Sequence, residues 1–414
     1  MRWHLAEFGT EEEKLLKENT IGKIDAFLEK FTADTDKLAN WFSSRQSDRL
    51  QTWFEENLQS INKKLMWEMG TDVFGNQAED LVVTITPEDN TELRPLVETM
   101  LKRAKPLPNW RFTQYRTPNT SAVSHSLARH NWNSAEGAIR FTEFNCFDLT
   151  IKADFIKKPN QEKDLQEVFY IAQSFLGEEL LECWINLIFT EPKNLPLGPS
   201  ILNRITARQG NITAEDNQFM PMEELRQKLN LAIAELTDRL PAEPYWATPF
   251  EGAYAVQLPH PEKVKRFSVT TYMPALIIAQ GKRILFQSRA FSRHEEKFCY
   301  LKMVKDPEFH QNLQWRYSLE ERLDERLRKA HAGCTLGGGF GLDACYIDLI
   351  LHDIPKSVEI IRAELMQAQA PETTWLLFHD ADWKDEWVGL LDTTPPPAPR
   401  YDESWLHLLC KIYT

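Results

Sequence analysis

The sequence predicts an α+β fold, in which an N-terminal helical segment precedes two α/β sandwich units, ferredoxin-like or related, with mainly antiparallel sheets. Three observations support this prediction. Apolar residues recur at helical spacing near the N-terminus, β-branched segments alternate with amphipathic segments farther on, and 42% of the 414 residues are apolar, which is enough to build packed cores. We therefore divide the chain into N-terminal helices (1–75), a first sandwich (76–190), a linker (191–220) and a second unit (221–414).

The composition argues against several functional classes. Asp and Glu number 61 against 48 Lys and Arg, so the formal charge is −13 and a broad cationic surface for nucleic acid is not expected. No run of about 18 apolar residues predicts a membrane span, and charges interrupt the N-terminal stretch where a signal peptide needs an apolar segment. The six cysteines show no CxxC spacing, which predicts reduced thiols in a cytoplasmic protein without a cofactor. The oligomeric state is not indicated.

The first predicted element is a helix, and a capping motif predicts where it begins. Thr10 and Glu13 have the spacing of a capping box. Apolar residues then recur every three or four positions: Ile21, Ile24, Phe27, Leu28 and Phe31. Such a stripe predicts a face buried in the core. Two alternatives stay open, namely a docking face for a partner and an oligomerising face.

The next elements follow a β-α-β order. Leu81–Thr86 is rich in β-branched residues and predicts a strand, Asn90 can cap a helix, and Pro106 ends that helix before a strand begins at Trp110. Residues 148–155 alternate apolar and polar, which predicts a strand with one face that is either solvated or covered by polar groups. A helix and a strand follow this segment, and the second half of the chain repeats the alternation at 346–352, 355–369 and 375–379.

Two segments carry a resemblance to a known family. They contain a Leu-Val-Glu helix, a Leu-Pro-x-Trp turn and a Leu-Gly-Glu helix start: Leu96, Val97, Glu98, Leu107, Pro108, Trp110, Arg116, Leu176, Gly177 and Glu178. Over residues 20–190 the chain resembles an uncharacterised family of bacterial cytosolic proteins with aromatic-rich N-terminal helices. The resemblance implies the fold and supplies no catalytic residues. Through a loose association with immunity proteins encoded near bacterial toxins, it implies a protein partner.

A glycine-rich segment is the first candidate site. Five of the 16 glycines fall between Gly333 and Gly341, and Gly337, Gly338, Gly339 and Gly341 could form a loop that lines a pocket. A hairpin or bulge, where the backbone takes a positive φ or passes close to another group, is the alternative. A phosphate loop is disfavoured because a helix precedes the glycines and a strand follows them.

A second candidate is a cluster of histidines and aspartates. His352, Asp353, His379 and Asp380 follow two strands that are predicted to be neighbours, so their side chains could meet at one end of the sheet. Imidazole and carboxylate groups suit metal binding or acid–base chemistry. The HExxH spacing of a zinc site is missing, which also favours a solvated sheet end.

The third candidate is an acidic stretch with interleaved tryptophans near the C-terminus. Its predicted partner-binding residues are Trp375, Asp380, Asp382, Trp383, Asp385, Glu386 and Trp387. Aromatic anchors in an acidic field are typical of a surface that recognises a cationic protein. The sequence therefore predicts a non-catalytic protein-binding protein. The most specific version of this prediction is an immunity protein that neutralises a basic toxin. An enzyme that uses the histidine–aspartate cluster beside the glycine segment is the alternative.

Overall fold

The computed structural model describes residues 2–71, 80–88, 90–118, 135–142, 144–193, 218–257, 266–277, 286–304, 312–341 and 344–398. The chain divides into two compact units. Unit 1 contains Met1–Arg116 and Asp382–Val388, and unit 2 contains Thr117–Ala381 and Gly389–Thr414. Helices and mainly antiparallel sheets confirm the predicted α+β class. Over the described ranges, no helix is long and apolar enough to cross a membrane.

Unit 1 combines helices with a small sheet. In chain order its main elements are α1 (Glu11–Ala33), α2 (Thr35–Ser43), α3 (Ser47–Asn57), β1 (Met66–Thr71), β2 (Leu81–Thr86), α4 (Arg94–Arg103) and β3 (Trp110–Thr113). The strand order is β1-β2-β3, with β1 antiparallel and β3 parallel to β2. The parallel pair is joined through α4, as predicted for this β-α-β segment.

The core of unit 1 explains the apolar stripe of α1. The predicted capping box is confirmed, because the Thr10 side chain accepts from the backbone N–H of Glu13 and the Glu13 side chain accepts from that of Thr10. Phe31 is fully buried, and its ring lies 5.0 Å from that of Trp110 and 5.9 Å from that of Trp53. The stripe therefore packs in the core of this unit, and it is not a docking face.

Unit 2 contains the remaining elements. In chain order they are β4 (Glu136–Phe141), β5 (Phe147–Ala153), α5 (Glu162–Leu176), α6 (Glu178–Trp184), β6 (Ile185–Pro192), β7 (Met220–Pro221), α7 (Met222–Arg239), β8 (Tyr254–Gln257), β9 (Arg266–Thr271), β10 (Lys297–Met303), α8 (Leu313–Lys329), β11 (Gly333–Gly341), β12 (Cys345–Leu351), α9 (Ile354–Gln367) and β13 (Thr374–Phe378). A short strand, β14 (Trp387–Gly389), ends where the chain returns from unit 1 to unit 2.

Unit 2 holds two sheets. The smaller has the order β6-β5-β4-β7, and β5 and β6 run parallel because α5 and α6 connect them. In the larger, β13, β10, β12, β11, β9 and β8 follow one another in antiparallel pairs. Within it, β10-α8-β11-β12-α9-β13 is a β-α-β-β-α-β unit, the element order of split β-α-β folds. The ferredoxin-like assignment itself stays a prediction.

The polar side of β5 is buried, which excludes the predicted alternative of a solvated face. Asp148 and Thr150 are only 2% and 1% exposed. Asp148 accepts a hydrogen bond from Asn186 Nδ2 at 2.9 Å and forms an ion pair with Arg140 on β4. Buried polar groups are retained when they are paired, so this side of the sheet is covered rather than wet.

The domain boundaries also need correction. Residue 75 falls between β1 and β2, which pair along their length. The predicted first sandwich (76–190) is divided between the two units after Arg116. Most of the predicted linker (191–220) lies outside the described residues. The predicted second unit starts too early, because β7 pairs with β4 and Leu225 of α7 packs over Gly137.

Candidate functional site

Part of the predicted partner-binding stretch belongs to unit 1. Residues Asp382–Val388, here called the strap, group with the N-terminal region although both their sequence neighbours group with unit 2. The strap is fixed by its contacts with residues 2–5. These contacts separate the predicted binding residues into anchors and exposed groups.

Glu386 is the central anchor of the strap. Its Oε1 accepts the backbone N–H groups of Trp3 at 2.6 Å and His4 at 2.7 Å, and its Oε2 accepts that of Leu5 at 3.0 Å. The carboxylate is 2% exposed, and burial raises the pKa of Glu386 although these three hydrogen bonds act to lower it. Successive backbone N–H groups that converge on one anion form an anion-binding nest. Glu386 fills this nest, so it is unavailable to a partner.

The two tryptophans of the strap are anchors as well. The Trp383 ring stacks on the His4 ring at 4.3 Å between centroids, and the Arg2 guanidinium lies 3.7 Å above the Trp387 ring. Arg2 also forms an ion pair with Glu13 at 2.6 Å. The prediction that Glu386 lies on a partner surface is therefore wrong, because its carboxylate is buried and accepts three backbone hydrogen bonds. Trp387 is half-buried, and its place on that surface stays a prediction.

The strap leaves acidic groups on its outer side. Asp385 is exposed, and Asp382 and Trp383 are half-buried. Because Glu386 and the tryptophans fix the backbone on either side of Asp385, this carboxylate is presented on an ordered turn.

Trp375 and Asp380, predicted for the same surface, belong to unit 2 and are buried. Trp375 is 7% exposed and donates its Nε1–H to the carbonyl of Pro395 at 2.6 Å. Asp380 is 3% exposed, accepts the backbone N–H of Ser288 at 2.8 Å and also accepts from the Ser288 hydroxyl. Both are structural residues, and their assignment to a partner surface is corrected.

The predicted metal cluster of His352, Asp353, His379 and Asp380 does not assemble. His352 is exposed, and Asp353 caps α9 by accepting the Lys356 N–H at 3.1 Å. Across the residues that the structure describes, no group of three or more His, Cys, Asp or Glu is arranged to hold a metal ion. Asp380 is held by Ser288, as above, and the four residues lie in separate environments.

His379 instead meets a different aspartate. Its Nε2 lies 3.4 Å from Asp348 Oδ1, and the two side chains are 1% and 0% exposed. The Tyr300 ring lies 4.8 Å from the imidazole. Asp348 pairs with Tyr300 in the register of β10 and β12, so neighbouring strands bring the three side chains together.

The glycine segment is strand β11 rather than a pocket loop. Gly337, Gly338 and Gly339 pair with β12 on one side and with β9 on the other. A bulge lies between Thr335 and Gly337, and Gly337 has a φ of +114°. A Cβ at Gly337 would lie 2.1 Å from the carbonyl oxygen of Thr270. The alternative of a bulge with close backbone approach is thus correct, and the pocket loop of Gly337, Gly338, Gly339 and Gly341 is not.

Sequence reasoning missed an exposed apolar pair on α1 of unit 1. Leu15 is 57% and Leu16 is 47% exposed in the first half of α1. At about 100° per residue, Leu15 lies on the opposite side of the helix from Ile24, which is fully buried. Tracing the stripe of α1 back toward Glu11 could have shown that Leu15 falls outside it and that Leu16 lies at its edge.

Comparison with known proteins adds no relative to this description. No protein-family model, curated protein or solved structure matches the chain.

Proposed function

We propose that this protein is a non-catalytic protein-binding protein that recognises a basic partner through the acidic outer side of the strap. The observation that carries the proposal is the anchoring of Glu386 by three backbone N–H groups, which holds Asp385 exposed on a fixed turn. A binding loop that is ordered before binding loses less conformational entropy on complex formation. Neutralisation of a basic toxin is the most specific version of this proposed function.

The charge of the chain supports a cationic partner. The formal net charge is −13. Attraction between opposite charges accelerates the encounter with a cationic partner, and repulsion between like charges suppresses association with acidic proteins. The Debye length, beyond which exposed charges are largely screened from one another, is about 8 Å at 0.15 M salt and about 3 Å at 1 M salt. The complex should therefore weaken as the salt concentration is raised.

Charge reversal on the strap tests the proposal. A tagged chain is purified from its own cells with its bound protein, and the affinity of the isolated partner is then measured. We expect Asp382→Lys/Asp385→Lys to weaken a one-to-one complex by at least about tenfold, or about 1.4 kcal/mol, mainly through slower association. Glu223→Lys/Glu224→Lys, on exposed positions of α7 in unit 2, is the matched control and should change little. Equal affinity of both variants would exclude the strap.

Acid–base catalysis is the rival function, and it rests on the Asp348–His379 pair beside Tyr300. A carboxylate close to an imidazole is an arrangement that general-base catalysis uses. His379→Asn separates the two proposals. If the pair is catalytic, the variant should lose cellular function with its thermal stability and partner affinity kept. If the pair is structural, the thermal stability of the variant should fall, and the variant molecules that remain folded should bind the partner with unchanged affinity.

A further inference from the structure

The first half of α1 exposes an apolar pair at its outer side. Leu15 and Leu16 are among the large apolar side chains of the described residues that remain exposed, at 57% and 47%. The buried residues of the helix, such as Phe27, lie in its second half. The first half thus projects an uncovered helical face.

Acidic residues surround this leucine pair. Glu11 and Glu18 lie four residues before and three residues after Leu15, and Glu12 lies four residues before Leu16, which makes them neighbours on the helix surface. All three are exposed, and the Glu11 side chain is 84% exposed. The leucines therefore sit in a negatively charged rim.

The basic residues nearby offset only part of this rim, because Lys14 pairs with Glu11 and no ion pair of Glu12 or Glu18 is described. Lys14 is half-buried and bonds to Glu11 at 2.6 Å, and Lys17 is half-buried and donates to the carbonyl of His4 at 3.2 Å. Lys384 in the strap is half-buried as well. The acidic residues that are exposed along 2–18 and 382–388 are Glu7, Glu11, Glu12, Glu18 and Asp385, whereas Arg2 is buried and Lys14, Lys17 and Lys384 are half-buried.

The surface is held in place by its own contacts. The capping box fixes the start of α1, and the Arg2–Glu13 ion pair ties that first turn to the segment that Glu386 binds. The first turn of α1 and the strap are therefore both held by ordered contacts within unit 1.

We propose that Leu15 and Leu16 form the apolar centre of an interface that takes a basic amphipathic helix of a partner protein, an inference that rests on the proposed protein-binding function. Apolar side chains of the incoming helix pack on the leucines, and its Lys and Arg residues meet Glu11, Glu12 and Glu18. In recognition of this kind the incoming amphipathic helix presents apolar anchors that are spaced by three and four residues. A second copy of this chain is disfavoured as the occupant because it would place acidic rim against acidic rim.

Site-specific photo-crosslinking in the native cells tests this inference. The photoreactive residue p-benzoylphenylalanine replaces Leu15 in one variant and Leu231 in a control. Leu231 is 67% exposed on α7 of unit 2, so the probes have similar access to solvent. We expect one defined cross-linked protein from position 15, at least about tenfold less of it with Glu11→Lys/Glu12→Lys, and none of it from position 231.

Five outcomes are decisive. A cross-linked product of the expected mass that depends on the acidic rim, with a basic amphipathic helix at the linked site, supports the inference. Cross-linking to a second copy of the chain, or the same product from position 231, overturns it. If position 15 gives no product while the strap-dependent complex persists, only the leucine interface is wrong. If position 15 gives no product and the strap-dependent complex is not found either, the proposed function is wrong as well.

Discussion

Replacing Glu386 with alanine should release the N-terminal segment of unit 1. The change removes the acceptor for three backbone N–H groups, two of which belong to Trp3 and Leu5, residues that are 4% and 3% exposed. A buried donor without a partner costs about 1–3 kcal/mol, so the two buried amides cost about 2–6 kcal/mol. Removal of the desolvated carboxylate, whose pKa burial raises, offsets part of this. We expect a net loss of about 2–4 kcal/mol of local stability.

Hydrogen exchange at the amides of Trp3 and Leu5 measures this loss directly. A cost of about 2–4 kcal/mol corresponds to exchange that is roughly 30- to 800-fold faster, since about 1.4 kcal/mol is a factor of ten. Asp385→Ala is the matched control, because Asp385 is exposed and its replacement should change stability by less than about 0.5 kcal/mol. If Glu386→Ala leaves the exchange of both amides at the wild-type rate, Glu386 is not the anchor and the fixed strap is refuted.

Two further predictions concern unit 2 and one concerns α1. Burial raises the pKa of Glu320 to about 7, so the folded state retains this proton; the resulting stability is present below the ordinary pKa and is lost as the pH rises through 7. Urea unfolding should show that the protein loses roughly 2.5 kcal/mol of stability from this group between pH 5 and pH 8, and that Glu320→Gln abolishes this loss. If the variant keeps the pH dependence of the wild type, the assignment is contradicted. Gly337→Ala should lower stability by more than about 2 kcal/mol in thermal unfolding, because of its positive φ and the close Thr270 carbonyl. Gly22→Ala in α1, where a Cβ meets nothing within 4 Å, should instead stabilise by about 0.5–1 kcal/mol.

Local patterns predicted the individual elements well. The capping box of Thr10 and Glu13 and the strand Leu81–Thr86 are found where the sequence places them. Each depends on residues within a few positions of one another, so short-range spacing is sufficient. The glycine segment was misassigned because glycine disfavours strands, whereas pairing with β9 and β12 makes β11 a strand that needs glycine at Gly337.

Long-range pairing could not be predicted in the same way. The acidic, tryptophan-containing stretch has the composition of a surface, but Glu386 finds its hydrogen-bond partners 381 to 383 residues away at the N-terminus. The spacing of residues within the stretch contains no sign of that contact. Similarly, His379 meets Asp348 because β10 lies between β12 and β13, an order that local alternation does not specify.

The acidic strap of unit 1 is proposed to bind a basic protein. The most direct test is the native mass of the tagged chain purified from its own cells, in parallel with Asp382→Lys/Asp385→Lys and Glu223→Lys/Glu224→Lys. We predict a one-to-one complex with a basic protein for the wild type and for the α7 control, dissociation of both complexes by about 1 M salt, and a free chain for the strap variant. A free chain in all three samples, or a complex that the strap variant and salt leave intact, would contradict the claim.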